Sequence, residues 1–171
     1  MIAQLVPVVL AFGANLGDRG ETIAEAQAEI LAAPGVLSLS ASPLRETIAL
    51  TLDGPDPDAP RYINGIALAE TTLDPHALLD LLQRIESEHG RTRDVRWGDR
   101  TLDIDLILYG GRSIRDDRLT VPHPRAHERD FVLAPWLDLD PHAALPGHGT
   151  VAALLDRIGD STTRLDDGGE R

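Results

Sequence analysis

Residues 102–109, Leu-Asp-Ile-Asp-Leu-Ile-Leu-Tyr, constrain the fold more than any other stretch of the chain. Asp103 and Asp105 alternate with Leu102, Ile104 and Leu106. Strand side chains point to opposite faces in turn, so the run predicts a strand with both carboxylates on one face and a packed apolar row on the other. Two like charges side by side repel unless a cation lies between them. A hard divalent ion suits such a pair, and Mg²⁺ commonly takes one or two carboxylates together with substrate phosphates.

The residues just before this strand point the same way. Arg91, Arg93, Arg96 and Arg100, with Trp97 among them, face only Asp94 and Asp99, so the window is locally positive. Guanidinium groups are planar, bidentate phosphate donors. The alternative is a solvated loop whose arginines pair with neighbouring acids. A D-x-D pair is weak by itself; the Arg/Trp loop and the apolar strand around it favour a metal and polyphosphate site.

Composition removes several classes. The formal charge of −12 argues against a broad nucleic-acid or anionic-membrane surface. A confined basic site on an acidic protein fits a small anionic ligand. All 16 basic residues are arginine, which excludes a P-loop lysine or a Schiff-base lysine. There is no cysteine, so disulfides and thiolate chemistry are excluded and a cytoplasmic location is expected. No apolar run reaches the roughly 20 residues needed to span a bilayer. The expected partners are small molecules, with neither nucleic acid nor membrane, and the chain is expected to be a monomer or at most a weak dimer.

Along the chain, Val6–Phe12 reads as a strand ending in the turn Gly13-Ala14-Asn15-Leu16-Gly17. Asp18 is positioned to cap a helix to about Ala33, with Ile23, Ala26 and Ile30 on one face and Pro34-Gly35 as its stop. Residues 36–41 alternate as a half-buried strand, 43–60 form a Pro-rich loop, and 62–73 form another strand. Asp74-Pro75 opens a helix over about 76–89, with Leu78, Leu81, Leu82 and Ile85 inward. Short helices are expected at 126–137, irregular at Pro135, and at 150–158. The order β-α-β-β-α-β predicts an α+β fold, a ferredoxin-like βαββαβ core with additional C-terminal helices. Residues 1–158 are expected as a single domain and 159–171 as a flexible tail.

Two further groups carry chemistry. Tyr62 and Asn64 share one strand face, where a ring can stack on a flat heterocycle and an amide can read its edge; ordinary packing is the alternative. His123 lies between Pro122 and Pro124, which hold its backbone extended as a positioned donor. Arg118 and Arg129 flank it and extend the anion site. A different magnesium-dependent phosphoryl or nucleotidyl transferase, and a ferredoxin-like domain that binds nucleotide without turnover, both remain open at this level. The fold cannot separate them.

The run Trp97-Gly-Asp-Arg-Thr-Leu-Asp-Ile-Asp-Leu-Ile-Leu-Tyr109 resembles the signature of the 6-hydroxymethyl-7,8-dihydropterin pyrophosphokinases of folate biosynthesis. G-A-N-L-G-D-R, Y-I-N-G-I-A-L, R-I-E-S-E-H-G-R and L-T-V-P-H-P-R-A-H-E-R-D-F-V-L-A-P resemble other blocks of that family in the same order, over about residues 5–140. The resemblance implies transfer of pyrophosphate from ATP to the pterin 6-hydroxymethyl group, with release of AMP. It implies that Asp103 and Asp105 hold two Mg²⁺ ions. Thr47, Tyr62, Asn64, Trp97 and Phe131 would hold the pterin. Gln83, Glu86, Arg91, Arg93, Trp97, Arg100, Arg118, His123 and Arg129 would line the ATP side. Arg91, Arg93 and Arg100 are expected to act catalytically with the two aspartates. The chain departs from the pattern at three places. The segment from Gly90 to Trp97 is one residue shorter than in some members, so Arg91 and Arg93 could exchange roles. Arg45 stands where an aromatic often precedes the threonine by two residues. Asp99 and Asp130 add negative charge that would weaken nucleotide affinity.

Overall fold

The computed structural model describes residues 4–14, 19–47, 50–51, 54–55, 62–90 and 102–165. The first strand, β1 (Val6–Ala14), is longer than its apolar run suggests and takes in Gly13 and Ala14. Helix α1 (Arg19–Ala32) follows, and the Asp18 cap expected for it lies outside the described residues. Gly35, at φ 93°, ends the turn after α1 in the left-handed region, and a Cβ there would meet Leu73 at 2.7 Å.

Strand β2 (Val36–Ala41) and the short β3 (Arg45–Thr47) both run along β4 (Tyr62–Thr71). They amount to one strand broken at Pro43. Ser42 spans the break: its backbone N–H donates to the Ile66 carbonyl at 2.8 Å, and its Oγ accepts the Ile66 N–H at 2.9 Å. Helix α2 (Pro75–Gly90) starts as the sequence predicts, with Asp74 Oδ1 accepting the Ala77 N–H at 2.8 Å and Pro75 in the first turn. Strand β5 (Asp103–Tyr109) lies antiparallel beside β1.

The sheet order β3-β4-β1-β5, with β2 also on β4, is the ferredoxin-like arrangement. One face packs on α1 and α2 through Leu10, Phe12, Ile23, Ile30, Leu82, Ile85, Leu102, Ile104 and Leu106. The predicted apolar row of β5 is therefore in the core.

Beyond β5 a small hairpin pairs β6 (Ile114–Arg115) with β7 (Thr120–Val121). The single helix expected at 126–137 is two elements. A 3₁₀ turn at Ala126–Glu128 is followed by α3 (Asp130–Leu139), because Arg129 between them is extended at φ −116°, ψ 105°. Pro135 sits inside α3. Helix α4 (Val151–Ile158) is capped by Thr150, whose Oγ1 accepts the Ala153 N–H at 3.2 Å. These C-terminal elements cover part of the second sheet face through Val9, Ala11, Ile66, Ile107, Leu133, Trp136 and Leu154.

Residues 159–165 fall within the tail expected from residue 159, and they are placed against the fold. After α4 the chain returns to the sheet as β8 (Thr163–Arg164), paired with Arg45 and Glu46 of β3. The reason is a set of polar anchors: Asp130 Oδ2 accepts from Ser161 N at 2.8 Å and from Ser161 Oγ at 2.6 Å. Among the described residues, no helix is long and apolar enough to cross a membrane.

Candidate active site

The second sheet face is only partly covered, and its polar end carries most of the singled-out residues. Register defines them. Asn64 pairs with Gly13, and Gly13 pairs with Asp103 across the next strand, so all three share one face. Asp105 stands opposite Ala11, two residues along. Arg45 and Thr47 pair with Asn64 and Tyr62 and belong to the same face.

Asn64 is 5% exposed, and its Nδ2 donates to Thr47 Oγ1 at 3.1 Å. That bond fixes which way the amide points and leaves its oxygen toward Gly13, where a Cβ would come within 3.3 Å of Asn64 Oδ1. The sequence predicts Gly13 as part of a tight turn. Here it is a gap in the sheet surface between an amide and a carboxylate.

Asp105 is the centre of charge. His123 Nε2 and Arg129 Nη1 each lie 3.9 Å from Asp105 Oδ2. Neither contact is short enough to be a hydrogen bond, and the Asp105 side chain is 44% exposed. Its oxygens therefore keep lone pairs for another partner. The donor set here is two half-exposed carboxylates on one strand face, all oxygen and hard, and it fits Mg²⁺ better than a soft metal. Among the described residues no group of three or more metal-binding side chains occurs. Two carboxylates suffice when phosphates complete the shell.

His123 is held at both ends. Its backbone N–H donates to the Ile107 carbonyl at 2.9 Å, and its Nδ1 accepts the Arg125 N–H at 3.1 Å. The neutral ring must then carry its proton on Nε2, the atom facing Asp105. Burial lowers its pKa below the ordinary range; Asp105 opposes this, and Arg129 and Arg125 add to it. Arg129 lies over the Phe131 ring, its Cζ 5.6 Å from the centroid, a cation–π arrangement that orients the guanidinium.

Glu86 reaches from α2 to the edge of β5, where its Oε2 accepts the Ile104 N–H at 2.7 Å. It pins the backbone between the two aspartates. Arg118 does not join His123 and Arg129. Its guanidinium lies on Asp80 and on Gln83 Oε1 of α2, the latter at 3.3 Å. Asp130 points its carboxylate at Ser161, an anchoring role the sequence did not reveal. Arg91, Arg93, Trp97, Asp99 and Arg100 lie outside the described residues.

A family model described as 7,8-dihydro-6-hydroxymethylpterin-pyrophosphokinase matches residues 9–141. A 2-amino-4-hydroxy-6-hydroxymethyldihydropteridine pyrophosphokinase of Haemophilus influenzae is 37% identical over 156 residues, 91% of this chain and 95% of that protein. The protein of the same name from Pseudomonas aeruginosa is 44% identical over 148 residues, 86% of this chain and 89% of that protein. A crystal structure of Plasmodium falciparum HPPK-DHPS superposes with a TM-score of 0.71 at 13% identity, covering 96% of this chain and 49% of that one. At that identity the superposition speaks for the fold, and the chain spans about half the length of that protein.

Proposed function

The chain belongs to the 7,8-dihydro-6-hydroxymethylpterin-pyrophosphokinase family, and from that premise we propose that ATP and pterin meet on the polar end of its sheet. The activity is transfer of pyrophosphate from ATP to the 6-hydroxymethyl group of 6-hydroxymethyl-7,8-dihydropterin, giving the pterin diphosphate and AMP in folate synthesis. The observation that carries the site is the line Asn64–Gly13–Asp103 across three neighbouring strands. It sets an amide able to read a heterocycle beside a carboxylate able to hold a phosphate-bound cation.

In this reading the pterin lies between sheet and helix. Asn64 reads its donor and acceptor edge, Thr47 orients that amide, and Tyr62, Phe131 and Trp97 are assigned to the ring. The pterin hydroxyl oxygen forms a bond to the β-phosphorus while the bond from that phosphorus to the α,β-bridging oxygen breaks. AMP leaves with the electron pair, and the hydroxyl proton passes to solvent, with no protein base assigned. Asp103 and Asp105 would hold Mg²⁺, two ions in the family pattern, which when bound neutralises phosphate charge and lowers the pKa of a hydroxyl.

The chain's own groups handle the rest of the charge. His123 offers a neutral Nε2–H donor whose tautomer is set by Arg125, and Arg129 offers a planar guanidinium. Arg91, Arg93 and Arg100 are assigned to the triphosphate, whose charge their guanidinium groups would neutralise. Gln83, Glu86 and Arg118 border the nucleotide side from α2 and the 114–121 hairpin. The enzyme is proposed to act in the cytoplasm on two small molecules, as a monomer or a weak dimer.

The test is AMP release from ATP and Mg²⁺ with and without the pterin, followed by chromatography. Pterin-dependent AMP with a diphosphorylated pterin is expected. ADP would mean attack at the γ-phosphorus and a different kinase reaction.

A further inference from the structure

Strand β3 carries Thr47 into the pterin side, yet little apolar burial holds it. It is three residues long, and all three are only half-buried. Its outer neighbour β8 has two residues. What ties it down is Arg45, on the same face as Thr47 and in register with Asn64.

Arg45 makes a two-pronged contact with Asp138 of α3: Nε to Oδ2 at 2.8 Å and Nη2 to Oδ1 at 3.0 Å. Its third nitrogen, Nη1, donates to Thr162 Oγ1 at 3.0 Å and lies 3.4 Å from Asp160 Oδ2. The side chains of Arg45 and Asp138 are 15% and 13% exposed, so water does little to screen the pair. The hydrogen bond to Asp138 raises the pKa of Arg45 above its already high ordinary value. Thr162 is itself fixed by Asp160, whose Oδ1 accepts from both its N–H and its Oγ1. The Leu165 N–H donates to the Leu44 carbonyl at 3.0 Å, which closes the segment on the residue before Arg45.

This contact joins β3 to α3, the two walls of the slot assigned to the pterin. β3 supplies Thr47, which orients Asn64; α3 supplies Phe131. We propose that Arg45 is a positioning residue for the pterin, fixing through Asp138, Asp160 and Thr162 the distance between the Thr47–Asn64 wall and the Phe131 wall. This rests on the assignment of that slot to pterin in the proposed function. Most ATP-side anchors lie elsewhere: His123 hangs from Ile107, and the β5 backbone from Glu86. Arg129, the N-cap of α3, shares the helix that Arg45 holds. The effect therefore falls mainly on the pterin.

The experiment titrates the pterin, followed by its own fluorescence, and separately ATP with Mg²⁺. It uses full-length wild type, Arg45→Met, Arg45→Lys and Asp138→Asn, each checked by circular dichroism below its unfolding midpoint. Arg45→Met and Asp138→Asn are expected to raise the pterin Kd about tenfold, as loss of one side of a charged hydrogen-bonded pair implies. Arg45→Lys keeps the charge without the fork and falls between. The ATP Kd stays within about twofold. An unchanged pterin Kd in folded Arg45→Met overturns the positioning role and leaves the functional reading standing. So does a parallel rise in both constants, which would mark a general structural effect. Wild type with no pterin affinity, alone or with Mg²⁺ and a non-hydrolysable ATP analogue, overturns the functional reading, and the positioning role falls with it. If Asp138→Asn alone folds, its pterin Kd decides.

Discussion

Asn64 and Asp103 face each other across Gly13, a residue without a side chain on the strand between them. The backbone of Gly13 needs no glycine, because its φ is not in the left-handed region. The gap is what matters. It lets a flat molecule approach the sheet between an amide and a carboxylate.

Gly13→Ala tests that gap. The new Cβ would sit 3.3 Å from Asn64 Oδ1, close enough that the amide must give by a few tenths of an ångström. Asn64 is tethered to Thr47 and cannot swing freely. A strain of about 1 kcal/mol is expected, which in KM for the pterin is about fivefold. The melting temperature should change little. Steady-state kinetics with the pterin varied checks this, and an unchanged pterin KM would remove Gly13 from the site.

Asp105→Asn tests the metal assignment. The substitution keeps size and one acceptor oxygen but removes the charge between His123 and Arg129. A loss of roughly 10³-fold in kcat is expected, about 4 kcal/mol of transition-state stabilisation. Because the Asp105 side chain is half-exposed and its two ionic neighbours lie at 3.9 Å, folding stability should hardly move. Turnover is measured over a range of Mg²⁺ concentrations. Near-normal turnover at the wild-type Mg²⁺ requirement would rule out Asp105 as a ligand.

What was legible in the sequence was local. The alternation of residues 102–106 showed which side of β5 is wet, because strand period is set by the backbone alone. Asp74-Pro75 marked the start of α2, because a cap acts within one turn. Links between distant segments were not legible. Arg45 meets Asp138 and Asp160 across 93 and 115 residues, and nothing local announces either. Arg118 read as a neighbour of His123 in sequence, but the hairpin turns it toward α2. The break at Arg129 was hidden because residues 127–130 contain neither glycine nor proline to announce it. The line through Gly13 depends on strand register, which two separate strands settle only when paired.

Ser42→Ala tests the stitch at Pro43. Ile66 is fully buried, and Ser42 Oγ is the acceptor for its N–H at 2.9 Å. Removing the hydroxyl leaves a buried donor unpaired, at a cost of about 1–3 kcal/mol. Urea denaturation should show a lower midpoint with an unchanged slope. A midpoint equal to wild type would mean that the Ile66 N–H finds another partner.

Asp116 makes the acid side of the stability profile predictable. Its Oδ1 accepts the backbone N–H groups of Arg118 and Leu119, both at 2.9 Å, and its Oδ2 faces His76 Nε2 of α2 at 2.8 Å. The Arg118 N–H is the largest cause of a carboxyl pKa below the ordinary 3.8; desolvation, the next largest, opposes it, and the Leu119 N–H and His76 add to the lowering. The unfolded chain therefore binds the proton more readily than the folded one between the two values. This contribution is fully present above the unfolded pKa and is lost as pH falls through the folded one. Asp116→Asn has no such titration. Its deficit relative to wild type should be constant above the unfolded pKa and shrink as the medium is acidified toward the folded value. Denaturation curves of both proteins from neutral pH down to about pH 2.5 measure it. A deficit that stays the same throughout would mean that the carboxylate charge plays no part in holding the hairpin to α2.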